Sequence, residues 1–176
     1  MSRLPDLSPE NMSDEDRRIY ETFRSSRGEL GVTGPSYAWL RSPAMFERLN
    51  WMIRFLRNES QIPARLREFI ILLTVRTWES RYPWGRHAPM AREAGLAEDI
   101  IEALDAERRP DFQNPDEAAV YDFAVELMEH HFVEDATYRA ALDLLGERGL
   151  VELTVLVGLY STIGMTINTF EIPPVD

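Results

Sequence analysis

A histidine within reach of a carboxylate can move a proton, and this chain of 176 residues has only three histidines to offer. His87 is the leading candidate. It lies in the stretch Trp78 to Gly95, W-E-S-R-Y-P-W-G-R-H-A-P-M-A-R-E-A-G, in what reads as the second turn of a helix. The positively polarised start of a helix favours the neutral ring, and a neutral imidazole is a usable general base near pH 7. Glu68 sits in the apolar run that precedes this stretch. A short connection would make the two helices neighbours, and a carboxylate beside an imidazole fixes its tautomer or relays its proton. A buried His–Glu pair that only stabilises packing would use the same residues, so spacing leaves both readings open.

Trp78, Tyr82 and Trp84 crowd the same helix junction. They could wall a pocket for a flat or cyclic ligand or simply be core. Arg81 and Arg86 flank it and could clamp a carboxylate or meet surface acids. His130 and His131 form a second cluster with Glu126, Glu129 and Glu134. Glu126 and His130 share a helix face, as metal ligands can. Two ligands do not make a site, and no H-E-x-x-H pattern is present, so the expectation is a solvated helix end and no metal. The chain has no cysteine, which removes disulfides, thiolate metal sites, redox pairs and cysteine nucleophiles. It also lacks a glycine-rich phosphate loop and a G-x-S-x-G elbow.

The elements that must position these residues read as helices throughout. Ser13 followed by Asp16 opens a first helix, which should end near Gly28 in a loop running to Pro35. Tyr37, Trp39 and Leu40 fit a packed turn. Ser42-Pro43 starts a helix with Phe46, Leu49, Ile53 and Leu56 at helical spacing. Pro63 opens the next, apolar on more than one face and therefore central. Within it, Glu68 should reach the surface, pair with Arg65 or Arg76, or face a cavity; Glu79 would share its azimuth if the helix lasted that far. Ser80 to Pro83 begins the helix of His87, and Gly95 fits its left-handed cap. Further helices are expected around Ile100 to Leu104, from Asn114-Pro115, from Asp135 to Gly146, and through Leu153 to Ile167. Gly158, Ser161 and Gly164 would let a neighbouring backbone approach. Tyr160 and Asn168 need partners on that last helix, and core hydrogen bonding is the role expected of each. No strand, repeat or low-complexity tract is visible. The fold class is therefore all-α, a helical bundle in one domain over 1–176, with 1–12 and 171–176 as extended tails.

The net charge of -11 argues against nucleic acid and anionic membranes as partners. The polar, acidic start is not a signal peptide. Leu150 to Phe170 is apolar but carries Glu152 and Asn168, and reads as a core helix rather than a span. A cytoplasmic setting is the expectation.

Two segments carry a resemblance: R-L-R-E-F-I-I-L-L-T-V-R (Arg65 to Arg76) and Y-P-W-G-R-H-A-P-M-A-R-E-A-G-L (Tyr82 to Leu96). Together they resemble the carboxymuconolactone decarboxylase family, within the alkylhydroperoxidase D-like superfamily. E-L-M-E-H-H-F-V-E-D-A-T-Y and L-V-G-L-Y-S-T-I-G-M-T-I-N-T-F extend the likeness over most of the chain. The resemblance implies a multi-helix bundle, a homo-oligomer (dimer, trimer or hexamer), a pocket beside the motif helix, and neither metal nor organic cofactor. In the peroxidase branch a Cys-x-x-Cys precedes the histidine, with a glutamate on the previous helix. Glu68 and His87 match the latter two, but the cysteine positions fall on Ser80 and Pro83. Thiol peroxidase chemistry is thereby excluded. The decarboxylase-like branch has Tyr-Glu-Trp-x-x-His, and here Pro83 replaces the glutamate. The implied function is cofactor-free proton transfer on a small lactone or enolisable carboxylic acid: decarboxylation, isomerisation or cyclisation. His87 would move the proton and Glu68 would orient or relay. Tyr82, Trp84 and Trp78 would shape the pocket, and Arg86 would meet an anion. The alternative is a catalytically decayed member that binds a ligand or serves assembly.

Overall fold

The structure, a computed structural model, describes residues 2–27 and 32–173. The expected end of the first helix near Gly28, residues 28–31 of the following loop, and residues 174–176 lie outside them. All regular structure among the described residues is helical. A 3-10 turn at Pro9–Asn11 precedes α1 (Asp14–Arg27), α2 (Pro35–Trp39), α3 (Pro43–Asn58), α4 (Ala64–Thr77), α5 (Arg81–Glu93), α6 (Glu98–Asp105), α7 (Pro115–His130) and α8 (Asp135–Phe170).

Local chemistry accounts for most of these boundaries. Ser13 Oγ accepts the Asp16 backbone N–H at 3.1 Å, occupying one of the donors a helix start leaves free. Proline opens α2, α3 and α7, where its fixed φ suits the helix and its missing N–H costs nothing. Gly146 interrupts α8 with φ 67 and ψ 173, so the two helices read from sequence, before and after this glycine, are joined at a kink.

α4 is the centre. Leu66 and every residue from Glu68 to Val75 are buried, because α5, α6, α7 and α8 all pack on it. Gly164 on α8 lies against Trp78: a Cβ there would sit 2.6 Å from the Trp78 Cβ. Gly158 approaches nothing, contrary to its expected role at a close contact. Trp39 Nε1 donates to Thr166 Oγ1 at 3.0 Å, pinning α2 to α8.

The N-terminal segment docks along the end of α8. The Arg3 backbone N–H donates to the Phe170 carbonyl at 2.9 Å, and Ser2 Oγ donates to the same oxygen at 3.1 Å. α8 is long and apolar enough to cross a membrane by length and composition alone, yet 61% of its most apolar window is buried in this fold. Glu152 in that window accepts from Ser60 Oγ and the Gln61 backbone N–H, each at 2.8 Å, and from Arg148 Nε at 2.7 Å. It thereby ties α8 to the α3–α4 connection.

Candidate active site

α4 and α5 are joined by Trp78 to Ser80, with Glu79 in the left-handed region (φ 49). This tight turn lays the two helices side by side and brings Glu68 and His87 together inside the fold. Glu68 is 1% exposed and His87 8%. Glu68 Oε2 lies 2.6 Å from His87 Nδ1. On the other edge of the ring, His87 Nε2 lies 3.3 Å from Tyr160 Oη of α8, and the two rings meet edge to face with centroids 5.2 Å apart. With Glu68 ionised the tautomer follows: Nδ1–H donates to the carboxylate, and Nε2 accepts from the phenol. Burial pushes the Tyr160 pKa up and the negative charge of Glu68 adds to this, while Arg57, Arg67 and Arg86 pull the other way. The net direction is upward, so the hydroxyl keeps its proton at neutral pH.

The line Glu68–His87–Tyr160 ends at a cavity of about 410 Å³, within the range of small-molecule sites. His87, Tyr160, Tyr82, Pro83 and Arg86 line it, with Ile53, Arg54 and Arg57 of α3. Tyr82 is held there by its hydroxyl, 3.1 Å from Thr33 Oγ1.

Several expectations need correction. Neither Arg65 nor Arg76 pairs with Glu68. Arg65 bonds Glu117 and Asp116, and Arg76 reaches Glu107 at 2.7 Å. The nearest cation is instead Arg67, whose Nε is 3.5 Å from Glu68 Oε1; both atoms are buried without a hydrogen-bond partner. Glu79 does not share the azimuth of Glu68, because α4 ends at Thr77. Trp78 and Trp84 do not line the cavity. Trp78 packs on Gly164, and its carbonyl accepts from Asn168 Nδ2 at 2.6 Å, which places Asn168 away from the pocket as well. Trp84 is half-buried against the core. Arg81 is exposed outside the pocket. Tyr160, whose reach to the pocket the sequence leaves open, bonds His87 and lines the cavity. Arg54 and Arg57 were not singled out by the sequence.

The second histidine cluster disperses. His131 takes the left-handed conformation that ends α7 (φ 59), and His130 is exposed. Glu126 accepts the Glu134 N–H at 3.0 Å and Thr137 Oγ1 at 2.7 Å, so it holds the start of α8 rather than pairing with His130. No group of three side chains able to hold a metal occurs among the described residues.

No family model matches the chain, and no curated protein matches its sequence. Solved structures do. One is the alkylhydroperoxidase AhpD core of an uncharacterised peroxidase-related protein from Ralstonia eutropha JMP134. It is 17% identical, with TM-score 0.77 over 99% of this chain and 93% of that one. A peroxidase-related protein from Silicibacter sp. TM1040 is 17% identical, with TM-score 0.74 over 98% and 90%. A protein of unknown function from Agrobacterium tumefaciens, a putative antioxidant defence protein AhpD, is 16% identical, with TM-score 0.68 over 79% and 96%. The fold of this chain is therefore AhpD-like.

Proposed function

We propose that this AhpD-like chain is a cofactor-free proton-transfer enzyme of carboxymuconolactone decarboxylase type, acting on a small lactone or enolisable carboxylic acid. The observation that supports this most is the buried line Glu68–His87–Tyr160 opening on the cavity. A thiol peroxidase reaction has no residues to run on, because the chain has no cysteine and Ser80 and Pro83 stand where the dithiol would be.

In this reading a carbonyl substrate displaces the loose 3.3 Å contact between Tyr160 and His87. His87 Nε2 takes the proton from the carbon beside the carbonyl. The C–H electron pair moves into an enolate, and Tyr160 O–H donates to the enolate oxygen. Glu68 keeps its bond to Nδ1–H and offsets the charge of the imidazolium. Return of a proton from His87 to the same or another carbon gives exchange or isomerisation. In decarboxylation His87 Nε2 first takes the proton of the substrate's carboxyl group, the C–C pair forms the enolate as carbon dioxide leaves, and His87 returns that proton to the carbon. General acid–base work of this kind contributes about 10²- to 10⁴-fold.

The test is incorporation of solvent deuterium into a panel of lactones and β-keto acids, followed by NMR together with carbon dioxide release. His87→Ala should slow exchange at least about 100-fold, and Tyr160→Phe should slow it while leaving binding in place. Exchange undiminished in His87→Ala refutes the mechanism. Pro83 on the pocket wall in place of a glutamate favours a second reading, a pocket that binds without reacting; binding with no turnover of any panel member would select it.

The proposal includes a cytoplasmic homo-oligomer without nucleic-acid or membrane partners. Its contact face would be the apolar groove between α3 and α8, where Trp51 is 61% and Val151 64% exposed and Trp51 stacks on Phe55.

A further inference from the structure

We infer that Arg67 of α4 is a positioning residue for the proton line: its guanidinium keeps the buried Glu68 carboxylate ionised and so leaves a free lone pair on the cavity-facing nitrogen of His87. The use made of that lone pair rests on the reading above, but the arrangement that supplies it stands on geometry and burial.

Helix geometry does not impose this pair. Successive residues of a helix point about 100° apart and do not face each other. Yet the Arg67 guanidinium comes back over its neighbour, with Nε 3.5 Å from Glu68 Oε1 and the arginine side chain only 15% exposed. The other arginines of α4 are committed elsewhere, Arg65 to Asp116 and Glu117 and Arg76 to Glu107. Among the described residues Arg67 pairs with no acid but Glu68. Nε and Oε1 are each buried without a hydrogen-bond partner, and native cores rarely leave such atoms so. At this separation the attraction is Coulombic. Oε2, the other oxygen of the same carboxylate, lies 2.6 Å from His87 Nδ1. The carboxylate thus sits between a guanidinium and an imidazole, one at each oxygen.

Counting protons shows what the guanidinium controls. While Glu68 is an anion, Nδ1–H donates to it and Nε2 keeps its lone pair. One added proton has two places to go. On the ring it makes an imidazolium, with N–H at both nitrogens. On Glu68 it makes a carboxylic acid that donates to Nδ1, which moves the ring's own proton to Nε2. Either way Nε2 carries a hydrogen and the base is gone. Burial penalises a bare carboxylate and so favours the added proton; a fixed positive charge beside Oε1 opposes it. The other groups around the pair are Tyr160 of α8, bonded to the ring, and Arg57 of α3 and Arg86 of α5 on the cavity wall. α6 and α7 also pack on α4, and among the described residues they send no ion pair to Glu68. Arg57 and Arg86 are exposed, so solvent and salt screen them, whereas Arg67 acts from inside the fold.

The substrate-free protein tests this by pH titration of its nitrogen-15-labelled histidine rings in NMR, with the exposed His130 and His131 as references. In Arg67→Gln and Arg67→Met the step at which His87 Nε2 gains its hydrogen should move to higher pH by about one unit or more. Arg67→Lys should hold it close to wild type, and the reference rings should stay in place. Arg57→Gln plus Arg86→Gln should move it less than Arg67→Gln alone. In the wild type, added salt should leave the step where it is, which reads the enclosed charge without any substitution. In deuterium exchange the acid limb of the pH profile should move with the ring in Arg67→Gln, and the rate at high pH should stay near wild type; a residue that only packs would lower exchange at every pH. A step unmoved in both neutral variants, a step that Arg67→Lys fails to restore, or a wild-type step displaced as far by salt would overturn the inference. The two readings fail separately. A moved step in a protein that exchanges no proton supports the role of Arg67 and removes the reaction; exchange that depends on His87 with the step unmoved does the reverse.

Discussion

Replacing Gly164 by alanine should destabilise this protein, although alanine is the better helix former. Inside a helix the exchange gains about 0.8–1 kcal/mol from propensity. At Gly164 the new Cβ would lie 2.6 Å from Trp78 Cβ and 2.7 Å from Trp78 Cγ. Those atoms are next to the main chain and cannot swing away, so α8 or the α4–α5 turn must shift. Overpacking of this sort costs about 1–3 kcal/mol, and the rigid neighbour places it toward the upper end. The net loss is then about 1–2 kcal/mol, or roughly 2–8 °C in Tm for a domain of this size. Gly85→Ala provides the internal control, because a Cβ there meets nothing within 4 Å. It should gain the propensity alone, about 1 kcal/mol and a rise of roughly 2–4 °C. Calorimetry at one fixed protein concentration reads both. Equal shifts for the two variants, or a more stable Gly164→Ala, would show that the α8–Trp78 approach is looser than described and that Tyr160, one turn away, is not held as argued.

Glu152→Ala removes the charged acceptor of Ser60, Gln61 and Arg148, three part-buried hydrogen bonds at once. A loss of about 2–3 kcal/mol is expected in urea unfolding. Burial works to raise the Glu152 pKa, but the Arg148, Gln61 and Ser60 bonds outweigh it and set the pKa below its reference of 4.5. The stability it contributes is therefore present above pH 4.5 and lost as pH falls through the lower folded value, and Glu152→Gln should flatten that acid limb. Tyr160 has the opposite sign. Its folded pKa is raised from 10.0, so its contribution is intact below pH 10 and lost above it. Tyr160→Phe should weaken alkaline unfolding, and ultraviolet titration of the native protein should show one fewer late-ionising phenol. Val151→Glu should reduce self-association in sedimentation without lowering activity per folded chain; an unchanged assembly would move the contact face elsewhere.

The positions of Glu68 and His87 were legible because each lies within a helix whose start is punctuated by proline or serine, with a connection too short to separate them. The shape of the pocket was not. Successive helical residues turn by about 100°, so Tyr82, Pro83, Arg86 and His87 fall on one arc while Trp84 points across the axis. Reading the tryptophans as pocket wall ignored that rotation. Trp78 was lost for another reason, since α4 had already ended and Gly164 was free to receive it. Arg54 and Arg57 adjoin Ile53 and Leu56 on an amphipathic helix, where charged residues ordinarily form the solvated face. Only the tertiary fold shows that this face overlooks the imidazole. A search for helical arginines with no acid three or four positions away would have flagged them. The partner of Tyr160 lay on a helix far away in sequence, which no local pattern encodes.

The left-handed glycine within α8 also decides how the chain fits into its own volume. An unbroken helix of 36 residues would be a rod on the order of 54 Å long, longer than a compact body of this size can cover. At Gly146 the rod folds, so that its leading part lies with α7. A side chain there would carry a left-handed penalty of about 1–2 kcal/mol and favour straightening. The leading segment, swung outward, would find the same seat on another molecule, and Gly146 variants are the ones expected to trade segments between copies and run as interlocked pairs.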